Sequence, residues 1–323
     1  MERSERLVLE PAVGWRFRSV VEQLAPLLAL ALLCLLLSIF APHFLTLGNL
    51  LNVGRQATYN AVLAAGMTFV ILTAGIDLSV GSLLALTSVG FAAIHINLGI
   101  PWWLNALICL VAITLFGTVN GFAIARLGFP PFIMTLGMLN MASGFAFVIS
   151  GGRPVAGFPA DFKWFGTGLI LGIPVPILIV LLIYVICYFV LARTKFGRHV
   201  YAIGGNQEAA RLSGVNVERV KIAIYTISGF MAAIAGLLYT ARLDSGTPNA
   251  GVGFELDAIA AVVIGGTSLF GGQGGIWGSL IGALVMAVLR NGLNLLNVDA
   301  LWQQVFIGVV IVAAVGVDLL RKR

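Results

Sequence analysis

The chain has 323 residues, of which 59% are hydrophobic and only 10% charged, and its mean hydropathy is +1.02. Soluble domains carry about 25% charged residues, so a water-soluble core is excluded and an integral membrane protein is implied. The net charge of +6 reads as cationic loops held on one side of a membrane rather than as a nucleic-acid surface.

Arg3, Arg6, Arg16 and Arg18 precede the first apolar run, Leu24 to Phe40. The residues after it, APHFLTLGN, contain no small-x-small cleavage pattern, so the run reads as a retained span and not a signal peptide. Residues 1–23 are then a cytoplasmic N-terminal segment and 24–320 a single transmembrane domain. Hydropathy predicts ten spans, at roughly 24–40, 57–74, 80–97, 102–125, 131–150, 175–191, 221–241, 256–270, 276–291 and 300–318. The apolar runs are continuous rather than alternating, which argues against a strand barrel.

With the N-terminus inside, fourteen of the nineteen Lys/Arg fall in cytoplasmic segments, and Arg55, Arg153, Lys163, Arg242 and Arg290 fall outside. Cations accumulate on the cytoplasmic side, so both termini are expected there. The fold class expected is all-α and polytopic, with about ten transmembrane helices, some of them interrupted. Cys34, Cys109 and Cys187 lie in apolar runs without CxxC or Cys/His spacing; no disulfide, metal or cofactor is expected.

Three motifs interrupt the apolar pattern. The first, Thr73 to Ser82 (TAGIDLSVGS), sets Asp77 at a turn between two spans. Ser79 and Ser82 suit helix capping, with Asp77 near a positive helix start; the alternative is a broken helix that lines a gate near the cytoplasmic face. The second, Val262 to Ser279, has the same outline of apolar run, Gly with hydroxyls, and Gly-Ser opening a further run. Such paired interruptions are a mark of repeats in transporters.

The third is Ala192 to Lys221, with six Lys/Arg and two Glu between two apolar runs. Gly204 and Gly205 permit a sharp turn, Asn206 suits an N-cap, Glu208 the first turn and Arg211 the C-terminal end. Gly214 suits the left-handed C-cap position. A helix from Gln207 to Ser213 is predicted, with Asn216 capping the next span. So short a helix is marginal alone, so it either docks on a soluble partner or is part of an ordinary basic loop.

Polar side chains are also scattered through the spans, among them Asn49, Asn52, Gln56, Asn60, Asn120, Asn140, Asp257 and Asn291. They either bond helix to helix or line a pathway for a neutral polyhydroxylated solute. An ion-coupled secondary transporter would need buried acids or His. Only Asp77, Glu255 and Asp257 qualify, and all fall near predicted span ends. No GxxxxGK[ST] or HExxH occurs, so neither an ATPase site nor a metalloenzyme is supported.

The runs LTAGIDLSVGSLLALT, GNQEAARLSGVNVERVK and FELDAIAAVVIGGTSLFGGQGGIWGSLIGAL together resemble the membrane permease subunits of ribose-type ABC importers. The resemblance extends from about Leu24 to Leu320. It implies a pore made with a second permease copy or a paralogue, in the inner membrane of a bacterial cell. It also implies a cytoplasmic ATPase subunit, an extracytoplasmic sugar-binding protein and a simple sugar as cargo. The Gly204 to Gly214 loop would be the segment that couples to the ATPase, through Gly204, Gly205, Asn206, Glu208, Arg211 and Gly214. The mechanism implied is alternating access, with no covalent catalysis by this chain. The gate or pathway candidates are Asp77, Ser79, Asn52, Gln56, Asn120, Asn140 and Asp257.

Overall fold

The computed structural model describes residues 12–321, so Arg3, Arg6, Lys322 and Arg323 of the charge census lie outside the described residues. The molecule is a helix bundle: α1 (Ala12–Phe40), α2 (Leu47–Leu72), α3 (Val80–Leu98), α4 (Trp102–Arg126), α5 (Pro131–Ser150), α6 (Ala160–Thr167), α7 (Val175–Arg193), α8 (Lys195–Gly205), α9 (Gln207–Leu212), α10 (Val217–Leu243), α11 (Phe254–Ile264), α12 (Ile276–Leu295) and α13 (Ala300–Arg321). Each predicted apolar run falls on a helix, apart from the second half of 256–270. The all-α, polytopic expectation holds. Six helices (α3, α4, α5, α7, α10 and α12) are long and apolar enough to cross a membrane, with shorter apolar stretches at Leu24–Phe40 and Ala300–Gly316.

Two antiparallel strand pairs add local ties. β1 (Val155–Ala156) pairs with β4 (Ser245–Gly246), and β2 (Leu169–Ile170) with β3 (Ile173–Pro174). With so few residues each, they fasten loops and do not change the helical class.

α2 is the axis of the bundle. All of its residues from Ala57 to Leu72 are buried, and it packs against α10, α12, α11 and α7. α10 lies against α4, α2 and α3, while α5 covers α3 and α1 covers α12. Close approach rests on small residues, as expected where apolar burial cannot drive helices together in lipid. A Cβ on Gly117 of α4 would come within 2.5 Å of the Tyr225 carbonyl oxygen of α10. A Cβ on Gly282 of α12 would lie 1.8 Å from the Ala261 oxygen of α11.

The predicted span at 256–270 is corrected. α11 stops at Ile264, and 265–275 is a non-helical glycine-rich segment. Eleven residues make about 16 Å at ~1.5 Å per residue, half of a hydrocarbon core of about 30 Å. α11 is therefore an interrupted helix. The segment before it packs against α3, where a Cβ on Gly246 would meet Ala92 and Ser88, and one on Gly251 would meet Gly81.

Candidate functional site

Three polar assemblies are built on this frame, and they sort the candidate residues. The first is the junction between α2 and α3. Asp77 is fully buried. Its Oδ1 accepts from the Ser79 amide at 3.0 Å and the Ser79 hydroxyl at 2.6 Å, and its Oδ2 accepts from the Ser228 hydroxyl of α10 at 2.7 Å. Asn120 of α4 donates its Nδ2 to Ser79 Oγ at 3.0 Å.

Ser79 precedes α3 but makes no side-chain cap bond. The capping expectation for Ser79 fails because its hydroxyl is already committed to the carboxylate. Asp77, Ser79 and Asn120 thus form one chain of hydrogen bonds that ties α2, α3, α4 and α10 together. Ser228 completes it and was not singled out from the sequence; a lone serine in an apolar helix carries no distinctive signal.

The second assembly is the basic stretch. Asn206 Oδ1 accepts from the Ala209 amide at 2.9 Å, and Asn216 Oδ1 accepts from the Arg219 amide at 3.0 Å. Both predicted N-caps are formed. Gly214 has φ +85° and its amide closes on the Arg211 carbonyl, the left-handed stop that favours glycine. Glu208 lies in the first turn of α9 and Arg211 in the last.

Gly204 and Gly205 do not make the turn. They end α8, a helix the sequence reading did not separate, and the chain turns at Asn206 instead (φ −159°). Gly204 has a different task. The Gly272 amide donates to the Leu72 carbonyl at 2.9 Å, and Gly204 presses against that bond. A Cβ there would lie 1.8 Å from the Leu72 oxygen and 2.4 Å from the Gly272 nitrogen. Tyr201 of α8 also donates its hydroxyl to the Gly274 carbonyl at 3.0 Å. The end of α8 is thereby wedged between the α2–α3 junction and the segment after α11. Beside it, Asp318 of α13 accepts from Ser268 Oγ and the Leu269 amide, each at 3.3 Å.

The third assembly lies farther along α2. Asp257 in the first turn of α11 is 1% exposed, and its Oδ2 lies 2.5 Å from Arg290 of α12. Asn60 of α2 donates to the same oxygen at 3.4 Å. One level away, Arg242 of α10 bonds the Tyr59 hydroxyl and the Asn52 Oδ1. Asn49 and Asn291 exchange amide bonds at 3.0 and 2.9 Å. Arg242 and Arg290, counted from sequence as extracytoplasmic loop charges, have their guanidinium groups turned onto partners within the bundle.

Gln56 is half-buried, one helical turn from Asn60. Asn140 is not brought to any of these assemblies: it is exposed on α5 and bonds its own helix, at the Leu136 carbonyl. Among the described residues no group of three or more His, Cys, Asp or Glu is placed to hold a metal ion.

Residues 49–315 match the family described as the branched-chain amino acid transport system permease component. The chain belongs to this family of membrane transport permeases. It is 47% identical over 300 residues to the ribose import permease of Escherichia coli (strain K12), covering 90% of this chain and 92% of that protein. It is 46% identical over 309 residues to the ribose import permease of Bacillus subtilis (strain 168), covering 95% of each. It is 40% identical over 287 residues to the D-allose transport system permease of Escherichia coli (strain K12), covering 88% of each. No solved structure matches the chain. The chain is a multi-pass membrane transport component and not an enzyme.

Proposed function

We propose that this chain is the permease subunit of an ATP-driven importer that carries a monosaccharide, ribose or a close relative, across the cytoplasmic membrane. Its partners are a second permease copy or a paralogue, a cytoplasmic ATPase subunit and an extracytoplasmic sugar-binding protein. Ten membrane crossings are proposed, with both termini and the Ala192 to Lys221 stretch cytoplasmic. α11 and the loops flanking it form one interrupted crossing.

The observation that carries this reading is the position of α9. It is a short, capped helix on the surface, with Glu208 and Arg211 within a basic stretch, and the helix before it is wedged by Gly204 between two helix interruptions. A helix so short draws its stability from its caps and from packing, here through Ala210, which is buried in the bundle core, while Leu212 is left exposed for a partner. ATPase closure would push α9. Gly204 would pass the push to Leu72 and Gly272, and the α2–α3 and α11–α12 junctions would shift together. Asp77 and its partners would set the alternative positions of the first junction. The ribose relatives favour sugar as cargo, while the family description alone would allow other small solutes.

The test is reconstitution of the chain with its ATPase subunit and binding protein in vesicles. ATP-dependent uptake of ribose, allose or xylose is the expected result. Arg211→Glu reverses a charge on α9. Gly214→Val places a β-branched residue at φ +85°, at a cost of about 1–2 kcal/mol. Both should weaken ATPase association or separate hydrolysis from uptake, with docking of the binding protein unchanged. Full association and full uptake in both variants would remove the coupling role from α9.

A further inference from the structure

Asn60, Asp257 and Arg290 gather three unpaired polar atoms in one place, where the Asp77 assembly leaves one, Asn120 Oδ1. Asp257 Oδ1, Asn60 Oδ1 and Arg290 Nε are all buried without a hydrogen-bond partner. Leaving a buried polar group unpaired costs about 1–3 kcal/mol, more when it is charged. Three such atoms on side chains that meet at one carboxylate, Asp257, therefore mark a place built for something else to bind.

Its depth is informative. Asn60 stands thirteen residues after Leu47 and twelve before Leu72, so it is at the middle of α2. α11 starts beside it and runs for only half a span, with Gly253 at φ +82° before its first turn. Interrupted helices inside a bundle are where transporters present polar groups to a solute. Arg290 is 35% exposed while Asp257 is 1% exposed, so the cluster opens on the arginine side.

The unpaired atoms also fix the chemistry of the ligand. Arg290 already neutralises the Asp257 carboxylate, so the three unpaired atoms themselves call for hydrogen bonds rather than for a counter-charge. What remains is two acceptors, Asp257 Oδ1 and Asn60 Oδ1, and one donor, Arg290 Nε. A hydroxyl offers one donor and two lone pairs. Two adjacent hydroxyls would give a proton to each acceptor and take one from the guanidinium.

We infer that Asn60, Asp257 and Arg290 form a solute site at mid-depth of the bundle that takes a vicinal diol of a neutral sugar during passage. This rests on the reading of the chain as a sugar importer. A bound water could satisfy the same atoms, and that is one outcome of the test.

The test uses the assembled permease–ATPase complex without binding protein, with tritiated ribose as probe and binding normalised to the amount of complex. Saturable binding is expected, with at least a tenfold loss of affinity in Asp257→Asn and Asn60→Leu and a smaller loss in Arg290→Lys. On the wild-type complex, methyl 3-deoxyribopyranoside, whose two hydroxyls at C2 and C4 are not vicinal, should compete at least tenfold less well than methyl ribopyranoside. Equal ribose affinity in the variants would overturn the site. So would equal competition by the two glycosides, since a site filled by water alone would not distinguish them; this arm needs no variant to fold. Displacement of ribose by leucine would also overturn it. If the complete wild-type system takes up none of ribose, allose or xylose, the importer reading itself fails, and that result is separate from unaltered binding in the variants.

Discussion

Ser228 donates its hydroxyl to the Asp77 carboxylate at 2.7 Å, and so ties the α2–α3 junction to α10, the helix whose first turn closes the basic stretch. Asp77 has no cation beside it among the described residues; two hydroxyls and one amide hold it. Removing one such bond to a charged group costs about 1.5–3 kcal/mol. Ser228→Ala should lower the thermal midpoint of the purified protein and slow uptake, and Ser228→Thr, which keeps a hydroxyl, should restore most of both. Asp77→Asn should reduce uptake about tenfold, equivalent to about 1.4 kcal/mol, while membrane levels stay close to wild type. Normal uptake by Asp77→Asn would remove the junction from the transport cycle.

The two glycines ending α8 should respond oppositely to one methyl group. At Gly204 a Cβ would run into the Leu72 carbonyl and the Gly272 amide, whereas at Gly205 nothing lies within 4 Å. Gly204→Ala is expected to force α8 away from both junctions and to leave ATP hydrolysis running with little uptake. Gly205→Ala should transport normally and gain slightly in stability, since alanine favours a helix by roughly 1 kcal/mol over glycine. Parallel ATPase and uptake assays on the two variants decide it; equal behaviour would mean that the wedge transmits nothing.

Much of this architecture was legible in the sequence because it rests on local rules. Asn206, Asn216 and Gly214 take the capping roles that their residue types favour, and apolar runs mark every long helix. What the sequence did not disclose depends on long-range approach. Ser228 meets Asp77 across 151 positions, and nothing in either neighbourhood announces the pairing. Asp257 reads as a residue near a span end, yet it lies beside the middle of α2 because α11 begins inside the bundle. Gly204 reads as a turn residue, although its actual constraint is the backbone of Leu72 and Gly272. Arg290 was the one available hint, a cation inside an otherwise apolar run.

Acid should loosen the loop at the outer end of α10. Asp244 follows α10 with φ +50°. The Phe158 amide at 2.9 Å holds its carboxyl below the usual range, and Lys163 at 3.2 Å adds to the effect. A lowered folded-state value means that the contribution is present above an unfolded value of about 3.9 and is lost as pH falls through the folded one. Asp244→Asn should melt slightly below wild type at pH 7, and the gap should close below about pH 4. Asn tolerates the left-handed backbone, so the comparison isolates the charge. Exposure makes the effect small; a gap that widened in acid would contradict the assignment.

The orientation yields a prediction that needs no transport assay. The hairpin turn at Leu171 is 98% exposed and Asn249 is exposed between α10 and α11, while Leu212 on α9 is 81% exposed and Arg198 is exposed on α8. The proposed orientation, drawn from the fourteen-to-five division of Lys and Arg, would put the first pair outside the cell and the second pair inside. Single cysteines introduced at these four positions, with Cys34, Cys109 and Cys187 replaced, should divide cleanly. A membrane-impermeant maleimide added to intact cells should label Leu171→Cys and Asn249→Cys. It should leave Arg198→Cys and Leu212→Cys untouched until the membrane is opened. All four side chains are accessible to solvent or loop surroundings, so absence of labelling reports sidedness and not burial. Labelling of Arg198→Cys or Leu212→Cys in intact cells would put the basic stretch on the wrong side for an ATPase, and the coupling role of α9 would fall with it.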